Sequence, residues 1–107
     1  MSYSHAMRVS LQTLKLLQVF MEDPAEPRYG LLLMGRTGLK SGTIYPALHR
    51  LESEGWLRSW SEDVDSSAVG RPARRLFAIT PTGLAAAEAA LTPFRAAPKP
   101  TPKVRFA

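Results

Sequence analysis

The amino-acid sequence predicts a mainly α-helical fold with a small β ribbon (α+β class), made of about four helices and two antiparallel strands. Three observations lead to this prediction. Four segments are densely apolar or repeat apolar residues at helical spacing. Two short runs, residues 56–61 and 74–79, are rich in tryptophan, leucine, phenylalanine and isoleucine, as strands are. About a dozen mostly polar residues separate these runs, and Gly70 and Pro72 among them predict a hairpin loop.

The chain has 107 residues, which is the usual size of one domain. We expect a flexible N-terminal arm over residues 1–9 and a folded domain over residues 10–96. Residues 97–107 are rich in proline and carry Lys99, Lys103 and Arg105 without any acid, so we predict a disordered basic tail.

Ser10 is the predicted N-cap of the first helix, because its side-chain oxygen can accept a hydrogen bond from the first turn, and this helix should reach about Glu22. Its apolar arc is wider than the roughly 100° face that a surface helix usually buries. The arc consists of Leu11, Leu14, Leu16, Leu17, Val19, Phe20 and Met21. Two explanations stay open: the helix is deeply buried in its own domain, or part of the arc packs against a second copy of the chain.

A second, short helix is predicted from about Arg28 to Thr37, after a break over residues 23–27 that contains two prolines. Gly30 and Gly35 inside it are most simply explained by close approach of another helix. Gly38 can adopt the left-handed conformation that ends a helix at little cost.

The third helix should reach Glu54 and bury Ile44, Leu48 and Leu51, which are spaced i, i+4, i+7. Ser41 or Thr43 can cap it. A helix tolerates proline only in its first turn, so Pro46 favours Thr43 as the cap.

Thr80 and Pro81 predict the start of the fourth helix, as a cap followed by proline at the first helical position. We expect Pro93 to end or kink this helix near Leu91. The apolar arc of the first helix and the stripe of the fourth together exceed what one small core needs, so we predict a homodimer. The predicted dimer residues are Leu11, Leu14, Phe20, Leu84, Leu91 and Phe94.

Composition excludes several classes of protein. The absence of cysteine excludes disulfide scaffolds, iron–sulfur clusters and thiol catalysis. No arrangement of residues offers a nucleophile with an oriented base, so we expect no enzyme, no cofactor and no metal. The longest apolar run is far shorter than a membrane helix, nothing predicts export, and we expect a cytoplasmic protein. Fourteen basic against nine acidic residues give a net charge of +5, which is compatible with binding a polyanion.

The predicted order of helix, helix, tight turn, helix, ribbon and helix is that of a winged helix-turn-helix. Residues 37–57, TGLKSGTIYPALHRLESEGWL, resemble the PadR family of bacterial transcriptional regulators. The resemblance lies in Ser41-Gly42-Thr43-Ile44-Tyr45-Pro46-Ala47-Leu48, then Leu51-Glu52-Ser53-Glu54-Gly55, and in the wing sequence GRPARR of residues 70–75. It covers about residues 10–91. It implies a homodimer that binds a palindromic operator in a bacterium, phage or plasmid, usually as a repressor.

The chain departs from this family in one respect. Members commonly carry a longer C-terminal helical region that builds the dimer and sometimes a ligand pocket. Here one short helix and a basic tail follow the wing. Any small-molecule effector therefore stays unspecified.

The predicted DNA contacts lie on the third helix and the wing. Arg50 can pair with guanine through two hydrogen bonds, while Thr43 and Ala47 can meet a thymine methyl group or a phosphate. Tyr45 either donates its hydroxyl to a phosphate or packs at the edge of the core. Arg71 beside Pro72 suits insertion into a minor groove. The complete predicted set is Lys40, Ser41, Gly42, Thr43, Tyr45, Pro46, Ala47, His49, Arg50, Arg71, Pro72 and Arg74.

We therefore expect a sequence-specific regulator that binds double-stranded DNA, with a winged-helix module that binds a partner protein as the alternative. The distribution of basic residues discriminates between them. Clustering on one face favours DNA, and a bare apolar patch there favours a protein partner. The residues concerned are Lys40, Arg50, Arg71, Arg74 and Arg75.

Overall fold

A computed structural model describes residues 9–95 of the chain. Within these residues the fold consists of α1 (Leu11–Glu22), β1 (Arg28–Tyr29), α2 (Gly30–Thr37), α3 (Ser41–Ser53), β2 (Leu57–Ser61), α4 (Ser66–Val69), β3 (Arg75–Ile79) and α5 (Pro81–Arg95). The strands form one antiparallel sheet in the order β1-β3-β2. This confirms the predicted α+β class and the winged-helix order. Residues 1–8 of the predicted arm and the whole predicted tail, residues 97–107, lie outside the described residues, and so does residue 96.

The core lies where α1, α2, α3 and α5 meet the sheet. Its apolar side chains are Leu16, Leu17, Val19, Phe20, Leu33, Ile44, Ala47, Leu48, Leu51, Leu57, Phe77, Ile79 and Ala87. Val9, just before α1, also packs against it. Most of the wide apolar arc of α1 is therefore buried inside the chain itself, which is the first of the two explanations. Only Leu11 at the start of the arc is largely exposed, at 70%.

Local hydrogen bonds define the start of α1 as predicted, because the Ser10 hydroxyl accepts from the Thr13 N–H at 3.1 Å. They also define the end of α2. Gly38 has φ 76° and its N–H donates to the Met34 carbonyl at 2.9 Å. The left-handed region that this φ occupies is one that glycine adopts without steric cost. Both predictions are confirmed.

The start of α3 differs from the prediction. The Lys40 carbonyl accepts from the N–H groups of Thr43 and Ile44, both at 2.9 Å, so Lys40 is the N-cap and α3 begins at Ser41. Thr43 is therefore not the cap. Pro46 lies beyond the first turn, where it removes the hydrogen bond to the Gly42 carbonyl. Gly42 is exposed, so water can bond to this carbonyl and the cost stays small.

The predicted start of α2 at Arg28 is wrong, because Arg28 and Tyr29 form a short strand that pairs with Phe77 and Leu76 of β3. The sheet therefore has three strands, one more than predicted. The Arg28 side chain is only 8% exposed and donates to the Val19 carbonyl at 3.0 Å, in the last turn of α1. This contact fixes the segment in an extended conformation before α2 can begin.

The wing consists of β2, β3 and the residues between them. The strands pair from Leu57 opposite Ile79 to Ser61 opposite Arg75. The connection was predicted as a loop, but it contains the single helical turn α4. Asp65 caps this turn by accepting from the Ser67 N–H at 3.0 Å.

α5 begins on the backbone that joins α3 to β2. The Thr80 hydroxyl accepts from the Gly83 N–H at 2.9 Å, which confirms the predicted cap. The same hydroxyl donates to the Gly55 carbonyl at 2.6 Å, and the Thr80 N–H donates to the Trp56 carbonyl at 2.9 Å. A Cβ on Gly83 would lie 2.7 Å from the carbonyl carbon of Trp56, so the first turn of α5 packs directly on this peptide.

The last helix does not end near Leu91, since α5 continues through Pro93 to Arg95, and a kink at Pro93 stays a prediction. Proline there removes the hydrogen bond to the Ala89 carbonyl, and its ring crowds that carbonyl. Ala89 lies on the exposed side of the helix, where water can replace that bond. In residues 9–95 no helix has the length and apolar content that crossing a membrane requires.

Candidate nucleic-acid interface

The outward face of α3 is polar and basic. It exposes Gly42, Tyr45, Pro46 and His49, which lie on one side of the helix at 100° per residue, with Arg50 at its margin. The opposite side buries Ile44, Ala47, Leu48 and Leu51 in the core. The sequence from Lys40 to Arg50 contains no acidic residue. From Lys40 to Arg50 this face therefore carries no side chain that would repel a polyanion, and the next acid, Glu52, is half-buried and accepts from the Ser59 hydroxyl.

Ala47 does not belong to this face. It is only 8% exposed and packs in the core, because it follows Ile44 by three residues and precedes Leu51 by four. The prediction that Ala47 contacts DNA is therefore corrected.

The first turn of α3 offers a second kind of contact. Lys40, Ser41, Gly42 and Thr43 are all exposed there. The first N–H groups of a helix have no partner within the helix, and its N-terminal end carries a partial positive charge. This turn is thus suited to a phosphate oxygen.

The start of β3, at the loop end of the paired strands, lies beside α3. A cleft of about 180 Å³ separates them on one side and is lined by Tyr29, Gly30, Leu31, Tyr45, Arg74 and Arg75. A second cleft of about 280 Å³ is lined by Tyr45, Leu48, His49, Glu52, Arg75 and Phe77. Tyr45 and Arg75 line both clefts, so these two side chains join the face of α3 to the wing.

Arg75 was absent from the predicted contact set, although it was named among the basic residues whose clustering matters. It is exposed, and its Nε donates to the Ser59 hydroxyl at 3.2 Å. Ser59 in turn donates to a Glu52 carboxylate oxygen of α3 at 2.7 Å. The alternation of side chains along a strand could have identified it. Arg75 and Phe77 lie on the same face of β3, and Phe77 is buried in the core, so Arg75 lies on the side of the sheet that faces the helices.

Tyr45 takes the second of the two roles that the sequence left open, packing at the edge of the core with its hydroxyl nearest to Gly30, and its contact with a phosphate stays a prediction. It is 47% exposed. A Cβ on Gly30 would lie 2.6 Å from Cζ of Tyr45, so the tyrosine ring packs on the first turn of α2. Its remaining surface lines both clefts.

The predicted insertion of Arg71 into a minor groove stays a prediction, and in this structure the side chain is paired within the wing. Its two terminal nitrogens donate to the two carboxylate oxygens of Glu62, at 2.7 and 3.2 Å, and one of them also donates to the Pro72 carbonyl at 3.1 Å. This guanidinium is therefore occupied within the wing and is not extended to enter a minor groove. Pro72 itself is exposed.

Arg74 lies next to the same acid, since its backbone N–H donates to Glu62 at 3.1 Å. Its guanidinium lies 4.1 Å from the centre of the Tyr29 ring. The hydrogen bonds from Arg71 and from the Arg74 N–H lower the pKa of Glu62 to about 2.

The predicted basic residues are thus brought together in part. Arg74 and Arg75 line one cleft with Tyr45, and His49 lines the next. Lys40 and Arg50 are exposed on α3. Arg71 is paired with an acid. In residues 9–95 no group of three or more metal-ligating side chains is present.

The predicted dimer residues divide into two groups. Leu14, Phe20 and Leu91 are buried within the single chain, at 8%, 0% and 4% exposure, because the chain covers them with its own residues. They offer almost no surface to a partner, which corrects that part of the prediction. Leu84 is half-buried against the core. Leu11 and Phe94 are exposed, at 70% and 66%.

Comparison with known proteins agrees with this architecture. The sequence model of the Transcriptional regulator PadR-like family matches residues 16–89. Among solved structures, smu.1704 of Streptococcus mutans UA159 is similar with a TM-score of 0.64 and 18% identity, over 84% of this chain and 83% of that one. A PadR-like transcription factor of Bacteroides fragilis has a TM-score of 0.62 and 19% identity, over 79% and 84% of the two chains.

AbfR of Staphylococcus epidermidis is similar with a TM-score of 0.61 and 22% identity, over 85% of this chain but only 56% of its own length. At these identities the three structures support the fold alone. No curated protein matches the sequence significantly.

Proposed function

Because the chain belongs to the PadR-like family of transcriptional regulators, we propose that it binds a specific double-stranded DNA site and represses transcription there as a homodimer. The observation that carries this proposal is the position of β2 and β3 beside the face of α3 that carries no acid from Lys40 to Arg50, with Tyr45 and Arg75 shared by the clefts between them. One continuous basic and polar surface is thereby presented to a ligand.

In this proposal α3 enters the major groove and reads the bases. Arg50 is exposed, and no hydrogen bond or ion pair to another residue of 9–95 engages its guanidinium, so it is the candidate for two hydrogen bonds to guanine. Thr43 at the start of the helix and His49 on the same face complete the readout. The specificity of a helix in the major groove comes from such base-edge contacts.

The phosphate contacts come from the surroundings of α3. Tyr45 and Arg75 reach one strand of the backbone, and the first turn of α3 with Lys40 reaches the other side of the groove. These contacts position the protein and carry no sequence information of their own. They make the affinity depend strongly on salt.

A homodimer fits this mode of binding, because a palindromic operator presents two identical half-sites to a two-fold symmetric protein. Leu11 and Phe94 are the exposed apolar side chains that we assign to the dimer contact. Occupation of a promoter by this dimer would exclude RNA polymerase, and such a regulator acts in the bacterial cytoplasm. Neither step requires a cofactor.

A salt-titrated mobility-shift experiment tests the proposal. The probes are the DNA upstream of the protein's own gene and a shuffled duplex of equal length and composition. We expect tighter binding to the upstream DNA and a linear fall of log K with log salt concentration for both probes. Equal affinity for both probes would overturn sequence-specific binding. A failure to bind either probe at low salt would overturn DNA binding and favour a protein partner.

A further inference from the structure

One carboxylate joins the two sides of the wing just beyond the paired strands, where the connecting loop begins. Glu62 follows β2 directly, and its side chain accepts from the Arg71 guanidinium at 2.7 and 3.2 Å and from the Arg74 N–H at 3.1 Å. Its own N–H donates to the Arg74 carbonyl at 2.7 Å. The acid thus joins the residue after β2 to the residue before β3. We call this set, Glu62 with Arg71 and the Arg74 N–H, the wing clasp.

The connection between the strands holds the other half of the wing clasp in place. Gly70 has φ 73° and ends α4, and the Arg71 N–H donates to the Ser66 carbonyl at 3.2 Å. The Arg71 guanidinium also donates to the Pro72 carbonyl. These backbone contacts hold Arg71 near Glu62, so less conformational entropy is lost when the ion pair forms.

The wing clasp is directly connected to the proposed phosphate contact, because Arg74, whose N–H belongs to the clasp, precedes Arg75. Arg74 is held through its backbone, and its guanidinium lies over the Tyr29 ring at 4.1 Å. Arg75 follows as the first residue of β3, and both arginines line the cleft with Tyr45. A change in the backbone at Arg74 would move both guanidinium groups relative to α3.

An acid in a DNA-binding surface normally weakens binding, because it repels the phosphates. Here the negative charge is matched by Arg71, and the carboxylate has three donors. We propose that Glu62 is a positioning residue for DNA binding: through the wing clasp it holds Arg74 and Arg75 beside α3, and Arg71 serves the clasp rather than the minor groove. This inference rests on the proposed function and adds to it an acid on which the affinity depends.

Simple electrostatics and the wing clasp predict opposite effects of removing Glu62 on DNA affinity. Removal of an acid next to DNA should strengthen binding, whereas loss of the wing clasp should weaken it. Asp63 provides the matched control, since it is the adjacent acid, is exposed, and has no hydrogen-bond or ion-pair partner in the described part of the chain. Glu62→Ala and Asp63→Ala change the net charge equally.

The experiment measures the affinity of the full chain for its upstream DNA by fluorescence anisotropy over a range of salt concentrations. We expect Asp63→Ala to bind as tightly as the wild type or more tightly. Glu62→Ala should bind at least about fivefold more weakly than Asp63→Ala, a factor typical of one net hydrogen bond. Its log–log salt slope should become shallower by about 0.9 for each phosphate that the chain no longer neutralises, although its net charge has become more positive. Glu62→Gln should lie between the wild type and Glu62→Ala.

Arg71→Ala gives a second, independent readout. In the wild-type background we expect Glu62→Ala to weaken binding. In the Arg71→Ala background, where the wing clasp is already broken, the same change should leave the affinity unchanged or raise it. This reversal is not expected for an acid that merely stabilises the fold, and thermal unfolding of each variant confirms that it is folded at the assay temperature.

Glu62→Ala binding as tightly as Asp63→Ala, with the wild-type salt slope, would overturn the inference. So would an equal loss of affinity from Glu62→Ala in both backgrounds. Either result leaves the proposed function intact as long as the wild type binds its upstream DNA specifically. Absence of wild-type binding to any DNA would instead overturn the proposed function, and the inference with it.

Discussion

The ring of Tyr45 occupies the space that a side chain on Gly30 would need, with Cζ and Cε1 at 2.6 and 2.7 Å from the position of a Cβ there. A residue of α3 that we assign to a phosphate is therefore held against the first turn of α2. The ring can lie there only because Gly30 has no side chain.

Gly30→Ala should displace the Tyr45 ring. Because Tyr45 is 47% exposed, the ring can turn toward solvent, so we expect a loss of stability of less than about 1 kcal/mol, below the usual cost of overpacking a core. DNA affinity should fall by about two- to tenfold, the range of one net hydrogen bond. Anisotropy binding and urea denaturation measure the two quantities.

Gly35→Ala is the control for this substitution. A Cβ on Gly35 meets nothing within 4 Å, and the residue lies in the same helix. We expect this change to raise stability by about 0.5–1 kcal/mol and to leave DNA affinity unchanged. Equal affinities for the two variants would contradict the role assigned to Tyr45.

Arg50→Ala tests base readout by α3. We expect it to cost about 1–3 kcal/mol on the specific site and much less on shuffled DNA. Arg58→Ala removes the same charge from the wing, on the face of β2 opposite to Ser59, where Arg58 lies 4.5 Å from the centre of the Trp60 ring. It should affect both probes little. If Arg50→Ala weakens both probes equally, Arg50 contacts a phosphate and reads no base.

Arg75→Ala tests the phosphate contact at the start of β3. Since a phosphate contact carries no sequence information, we expect equal weakening on specific and shuffled DNA. The log–log salt slope should become shallower by about 0.9 per chain. A change in the ratio of the two affinities, with an unchanged slope, would show that Arg75 does not act in this way.

The stability of the protein should depend on pH through Glu62, whose pKa the wing clasp lowers from 4.5 to about 2. A folded-state pKa below that of the unfolded chain means that the ionised carboxylate stabilises the fold above about pH 4.5, and that this stabilisation is lost as the pH falls toward about 2. The difference in unfolding free energy between wild type and Glu62→Gln should be constant from about pH 7 to 5 and shrink below that. Denaturant titrations at several pH values measure it. A difference that persists unchanged near pH 2 would refute the assignment.

Leu11→Gln tests the dimer contact, with Leu31→Gln as the control. The two leucines are equally exposed, at 70% and 69%, but Leu31 lines the cleft near the wing. Burial of one leucine contributes about 1.5–3 kcal/mol. In sedimentation we therefore expect Leu11→Gln to raise the dimer dissociation constant at least about tenfold and Leu31→Gln to leave it unchanged. A wild type that sediments as a monomer at micromolar concentration, free and on DNA, would remove the dimer from the proposal.

Features that depend on neighbours in sequence could be predicted. The caps at Ser10 and Thr80 and the left-handed Gly38 need only the residues within one turn. The buried face of α3 followed from its period, although a stricter use of the same period would have placed Ala47 with Ile44 and Leu51.

Features that depend on contacts between distant segments could not be predicted. Arg28 extends as a strand because Phe77 pairs with it and the Val19 carbonyl accepts from it, and neither partner is visible in the local sequence. The ion pair of Arg71 could not be predicted either, because nothing in GRPARR shows that Glu62, nine residues earlier, lies within reach of it.

The contact between Gly83 and the Trp56 peptide links two parts of the molecule that have different tasks. The first turn of α5 packs on the backbone just after α3, and Thr80 bonds to both carbonyls there. In a dimer that forms through α5, the distance between the two copies of α3 and the angle between them would therefore be fixed. Each base pair turns the duplex by about 35°, so an operator lengthened by one pair between its half-sites would present the second groove out of phase. In the proposed dimer, the backbone at Trp56 would thus limit which operator lengths are bound.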